Sequence, residues 1–203
     1  MNYLFRISNF LDHMITKVGV AASWTAIPLI AVIIFDVITR RFLVLGSTKL
    51  QEMEWHLHTI LFTFCLGYAY LRDSHVRIEL VRERLSQRAK WWIELLGCLL
   101  FLIPYSAIVL YHSGEWWTRS FTVGEDSDSA TGLPFRWIIK FALPAGIVFL
   151  LFATVAIFFR KVIQLFGSPE LRNRVTAIEN KEFEHLDEVM PTDTPPENEG
   201  GGP

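Results

Sequence analysis

The sequence predicts an all-α integral membrane protein. It has four transmembrane helices, both termini in the cytoplasm, and an interfacial amphipathic helix between the second and third spans. Three observations predict this. Four runs contain no Asp, Glu, Lys or Arg: residues 18–35, 55–71, 95–114 and 141–159. The chain is 51% hydrophobic with positive mean hydropathy, which is rich for a soluble domain and ordinary for a small multi-pass membrane protein. Thirteen of the Lys and Arg residues fall in the lead, the 72–90 connection and the tail, against six in the 36–54 and 115–140 segments, so the positive-inside rule places both termini in the cytoplasm.

Residues 1–17 form a short amphiphilic lead with Arg6 and Lys17. The uncharged run from Val18 to Phe35 is longer than the usual core of a cleavable signal peptide. Asp36 and Arg40-Arg41 follow it, where a cleavage site would carry small residues. This is the first span, about 18–38. Gly19, Ala22 and Ala26 give it a small face, and Pro28 predicts a kink.

The second span, 54–71, opens at Glu54. Its seventeen uncharged residues make about 26 Å of helix at 1.5 Å per residue, close to the roughly 30 Å hydrocarbon thickness of a bilayer. His56, Thr59, Thr63, Gly67 and Tyr70 recur at spacings of three and four and share one face. Small and polar stripes are how helices in lipid find partners, so this segment is built to pack against protein. Ile78, Leu80, Val81 and Leu85 then lie among Arg77, Arg82, Arg84, Arg88 and Lys90, a pattern for a helix in the headgroup region. A solvated charged loop is the plainer alternative.

The third span, 91–113, starts at the interfacial anchor Trp91-Trp92, has Pro104 at its middle, and meets Trp116 and Trp117 at its far interface. The 115–136 loop is turn-prone and carries Glu125, Asp126 and Asp128. The fourth span, 137–159, has Pro144 near its start and is closed by Arg160-Lys161. Residues 18–166 therefore form the membrane domain and 167–203 a cytoplasmic tail, whose Pro/Glu/Gly-rich end has the composition of a disordered segment.

Several function classes find no support. There is no nucleotide-binding glycine loop, zinc-helix motif or nucleophile elbow. Cys65 and Cys98 lie in apolar runs without metal or disulfide spacing and read as packing residues. The expectation is a non-enzyme that holds no cofactor and binds lipid bilayer and protein, not nucleic acid. An autonomous channel or transporter would place ionisable groups near the membrane centre, whereas here they sit at span ends. The competing reading is a haem-binding membrane anchor of a respiratory complex. His56 and His58 on the second span and His112 on the third lie at matching depth, though all within about a turn of the interface. Arg40, Arg41, Glu52 and Glu54 fall at the outer ends of the first two spans. An ion-pair cluster is expected there, fixing the first hairpin or binding a partner; independently hydrated charges are the alternative, contributing about 0–1 kcal/mol each.

One family pattern is matched in order. Arg41-Phe42 ends the first span, Glu54 opens the second, Gly67 follows thirteen residues later, and His75-Val-Arg77-Ile-Glu-Leu80 comes next. Farther on come Ser129 to Pro134 with Trp137, then Pro144-Ala-Gly146. Over roughly 15–165 the chain resembles the small integral-membrane subunit, DctQ-type, of tripartite ATP-independent periplasmic (TRAP) transporters. Phe135 and Arg136, between Pro134 and Trp137, and the long acidic tail depart from the pattern.

The resemblance implies a place in the bacterial inner membrane and a partnership with two other proteins. A periplasmic binding protein captures an organic acid of the dicarboxylate, keto acid or sialic acid class. A large membrane subunit holds the substrate and sodium sites and moves as an elevator, without ATP. The small subunit packs against it and enlarges its fixed scaffold. On that reading Glu54 is structural, bonded to an arginine of this chain or its partner. His75 and Arg77 meet lipid phosphate or the large subunit at the cytoplasmic face, and the acidic outer loop helps dock the binding protein.

Overall fold

The structure is a computed structural model that describes residues 1–43, 46–72 and 85–189, with side chains described as far as Ile178 and Glu179. The expected interfacial helix, with His75 and Arg77, falls mainly on 73–84. It lies outside the described residues, as does the end of the tail. The described residues form helices and their connections, with no strand among them. They are α1 (Asn2–Ser23), α2 (Ala26–Phe42), α3 (Thr48–Leu71), α4 (Gln87–Gly97), a π-helical turn (Cys98–Leu102), α5 (Ile103–Val123), α6 (Arg136–Phe166) and α7 (Pro169–Val189).

Three helical stretches are long and apolar enough to cross a membrane by length and composition: 2–42, 87–123 and 136–166. The lead is thus helical and continuous with the first apolar run. At 24 residues α3 is shorter than these stretches though long enough to span, but Glu54, His56 and His58 dilute its apolar character.

Two prolines leave specific irregularities. Pro28 has no N–H to offer the Trp24 carbonyl, which takes Ile27 N–H instead, three residues on, at 3.2 Å. Thr25 N–H likewise reaches only back to Ala22, so the ladder tightens where α1 gives way to α2. Pro104 cannot donate either. The turn before it widens, and Ile103 N–H reaches back five residues to Cys98. Pro144 is buried inside α6, which stays helical through it.

α6 is the central post, in contact with α1, α3, α4, α5 and α7. Its inward face alternates small residues, Ala142, Gly146, Ala153 and Ala156, with Ile147, Leu150 and Ile157. Ile15 of α1, Leu71 of α3 and Cys98 pack onto Ala153, Ala156 and Ile157 as the buried core. Gly67 of α3 lies against the Phe149 and Leu150 backbone, Gly146 against the Thr63 backbone, and Gly19 of α1 against the Tyr68 ring. On α5, Ser106, Ser113 and Ser120 are buried at seven-residue spacing. A seven-residue period keeps one narrow seam turned toward a neighbouring helix, and small side chains let the backbones approach.

Candidate functional site

Charged side chains gather at the two ends of this bundle. The best-defined constellation is at the end carrying Lys140. Gly124, in the left-handed region at φ 65°, ends α5, and Phe135, at φ 61°, starts α6. The 125–134 loop between them is folded over the first turns of α3. Its three carboxylates are engaged close to home. Asp126 accepts the Phe135 N–H at 2.7 Å, which holds Phe135 in its uncommon conformation. Asp128 accepts from Arg136 at 2.6 Å. Glu125 pairs with Lys140 and lies 3.9 Å from Arg136. The Lys140 ammonium also sits over the Trp116 ring, 4.3 Å from its centroid.

Glu52 ties this loop to α3. Its carboxylate accepts the Leu133 N–H at 2.5 Å and the Ser127 hydroxyl. Pro134, which is exposed, biases Leu133 toward extended backbone, and Leu133 N–H is the donor that Glu52 takes. The Leu133 amide, then the Ser127 hydroxyl, hold the Glu52 carboxyl below its ordinary value. The Lys140 ammonium does the same for Glu125. Aromatic rings brace the α5–α6 seam beside the loop. Phe121 meets Trp137 edge-on at 5.1 Å, and Trp117 lies 5.1 Å from Phe141.

Between α3, α5 and α6 at this end lies an open cleft of about 490 Å³. Glu52, His56, His58, Arg136 and Lys140 line it toward the loop, and Phe62, Thr63, Ile139 and Leu143 line it deeper. His112 is not among its lining residues. It is exposed on α5, 3.9 Å from Glu115, so the three histidines weighed for haem do not converge. No group of three or more His, Cys, Asp or Glu residues is placed to hold a metal ion among the described residues.

The other end carries Arg160. Its guanidinium pairs with Asp12 of α1, both largely shielded. Lys161 bridges Glu94 of α4 at 3.3 Å and Glu179 of α7 at 3.1 Å, and Gln164 donates to Glu179 at 2.7 Å. Arg72, following α3, donates to Thr16 of α1 at 3.1 Å. Glu94 and Lys140 therefore find partners at opposite ends of α6.

Three of the four charges expected to cluster line one groove, and the fourth, Glu52, does not. Arg40 pairs with Asp36 one turn back on α2, Asp36 being buried. Arg40, Arg41 and Glu54 line a shallow groove with Ile33, Asp36 and Val37. Glu52 turns away from them to the loop. Gly67 and Pro144 lie in the packed interior. The local part of the loop network, Glu125, Asp126 and Asp128 before Arg136 and Lys140, had a sequence signal in its acidic run followed by basic residues. The reach of Glu52 to Leu133 had none.

These features define a multi-pass helical membrane protein, with charged groups at its helix ends and small-residue seams between its helices. Residues 29–164 match the family model described as tripartite ATP-independent periplasmic transporters, DctQ component, and the chain belongs to that family. It is thus a TRAP transporter small membrane subunit. The comparison with curated proteins returned no match.

Proposed function

We propose that this subunit is a brace for the large transport subunit and conducts nothing by itself. It crosses the bacterial inner membrane four times, with the Arg160 end and both termini in the cytoplasm and the Lys140 end in the periplasm. The observation that carries this is the distribution of charge. The ionic groups of α6 fall at its two ends, tied to neighbouring elements, while Ile15, Leu71, Cys98, Ala153, Ala156 and Ile157 fill the core between them. Closely packed apolar interiors have low compressibility and resist deformation. Interfacial tryptophans and charged span ends hold depth and tilt in a bilayer.

ATP-independent import against a gradient requires coupling to an ion. Family resemblance makes sodium the coupling ion, bound on the large subunit, and organic acids the cargo. The 125–136 loop contributes to docking the periplasmic binding protein. Its carboxylates are held mainly within the fold, so its contribution is the shape and the exposed Asp128 edge of the ordered loop.

The test is reconstitution. The subunit and its large partner should co-purify in mild detergent, and vesicles holding both, with the binding protein, should take up substrate with sodium. Vesicles holding this chain alone should take up none. Uptake by the chain alone overturns the brace reading. Uptake by the complex that is unchanged after deletion of 125–134 removes the docking role.

A further inference from the structure

The cleft at the Lys140 end has a graded lining that the brace role does not use. Glu52, Arg136 and Lys140 line its mouth, and Phe62 and Leu143 its deeper part. From Glu52 to Thr63 the cleft follows eleven residues of α3, about 16 Å of helix axis at 1.5 Å per residue. We propose that this cleft holds one amine-bearing zwitterionic phospholipid, with its headgroup at the mouth and one acyl chain running down between α3 and α6. This rests on the membrane reading of the helices and is independent of the transport role.

Size and charge choose this occupant. At about 490 Å³ the cleft is within the range of small-molecule sites, roughly 300–1,000 Å³. The deeper lining of Phe62, Ile139 and Leu143 suits a chain of methylenes. The mouth presents both signs of charge. Arg136 and Lys140 already hold Asp128 and Glu125, but a guanidinium has five N–H donors and an ammonium three, which leaves donors for a phosphate. The Glu52 oxygens each take one donor and keep acceptor capacity for an ammonium. A purely anionic headgroup would leave Glu52 facing like charge. Trp116, stacked by Lys140 at the rim, and Trp55 both line the cleft and would report occupancy.

The test uses the full chain, alone and in complex with its large subunit, purified in mild detergent and analysed by native mass spectrometry. The probes are palmitoyl-oleoyl phosphatidylethanolamine, the matching phosphatidylglycerol, chainless glycerophosphoethanolamine and inorganic phosphate. We expect one phosphatidylethanolamine retained per chain at least fivefold over phosphatidylglycerol, without competition from either soluble probe. Leu143→Trp, which blocks the deep end, should cut retention at least fivefold with helicity intact. The unsubstituted protein gives a second readout: brominated-chain phosphatidylethanolamine should quench a fluorescence component that Trp116→Phe lacks. Equal retention of both lipids, competition by the chainless headgroup or phosphate, or a large-subunit side chain found in a lipid-free cleft would each overturn the proposal.

Discussion

Gly146 of α6 lies against the main chain of Thr63 on α3, so closely that a methyl group added to it would stand 2.6 Å from the Thr63 carbonyl oxygen. Gly67 stands in the reciprocal place, where the same methyl would meet the Phe149 carbonyl oxygen at 2.9 Å. Backbone cannot rotate aside as a long side chain can. Gly146→Ala and Gly67→Ala should each destabilise the bundle by about 1–3 kcal/mol through overpacking. Gly114 on α5 has nothing within 4 Å of such a methyl, and Gly114→Ala should stabilise by roughly 0.5–1 kcal/mol. Thermal unfolding in mild detergent checks the opposite signs.

The loop over α3 should loosen in acid. Glu52 and Glu125 have folded-state values below the ordinary 4.5, so their contribution to holding the loop is fully present above about that pH. It fades as pH falls through the lower folded values. Amide exchange at Leu133 should be slow at neutral pH and quicken progressively below pH 4.5, once corrected for the intrinsic pH dependence of exchange. Glu52→Gln should show the quickened exchange already at neutral pH, because a neutral amide accepts the Leu133 N–H less strongly than a carboxylate.

Removing Asp12 should be costly. It pairs with the largely buried Arg160 guanidinium, and taking away one partner of a shielded pair costs about 3–5 kcal/mol. Asp12→Ala should therefore lower the unfolding midpoint strongly, and Asp12→Asn, which retains an acceptor, by less. A near-neutral Asp12→Ala in the same unfolding assay would show that the pair is hydrated.

Among the described residues, Glu179 is a polar tether of α7, accepting from both Lys161 and Gln164, Val175 is an apolar one, buried, and Arg172 lies over the Trp91 ring. Glu179→Ala should raise the rate of limited proteolysis within 169–189 several-fold and leave α1 to α6 resistant. Equal rates in the variant and the parent protein would show that Glu179 does not hold α7, leaving contacts such as Val175 and Arg172 over Trp91.

The charge-free runs made the three apolar helical stretches legible, because desolvating a charge in lipid is expensive and leaves a plain mark in sequence. The stripe through Thr63 and Gly67 pointed correctly to close helix packing, and the structure supplies the partner, α6. The lead was less legible. Residues 2–17 are polar enough to read as a flanking segment, and only their docking through Ser8, Asp12 and Ile15 shows why they are helical. Of the outer charges, Arg40, Arg41 and Glu54 line one groove, and Glu52 departs from them for a topological reason. Glu52 and Arg40-Arg41 are near in sequence, but the 125–134 loop, some eighty residues on, arrives over Glu52 first. No local spacing encodes that arrival.

The widened turn at Cys98–Leu102 has a mechanical consequence. Deleting one residue there would restore a uniform coil and swing everything beyond it by about 100° about the axis. The hydroxyls of Ser106, Ser113 and Ser120, now shielded, would then be turned toward hydrocarbon while Trp91 and Glu94 stayed where they are. The extra residue acts as a phase shifter, letting one long rod present two differently aimed contact strips to the same neighbour.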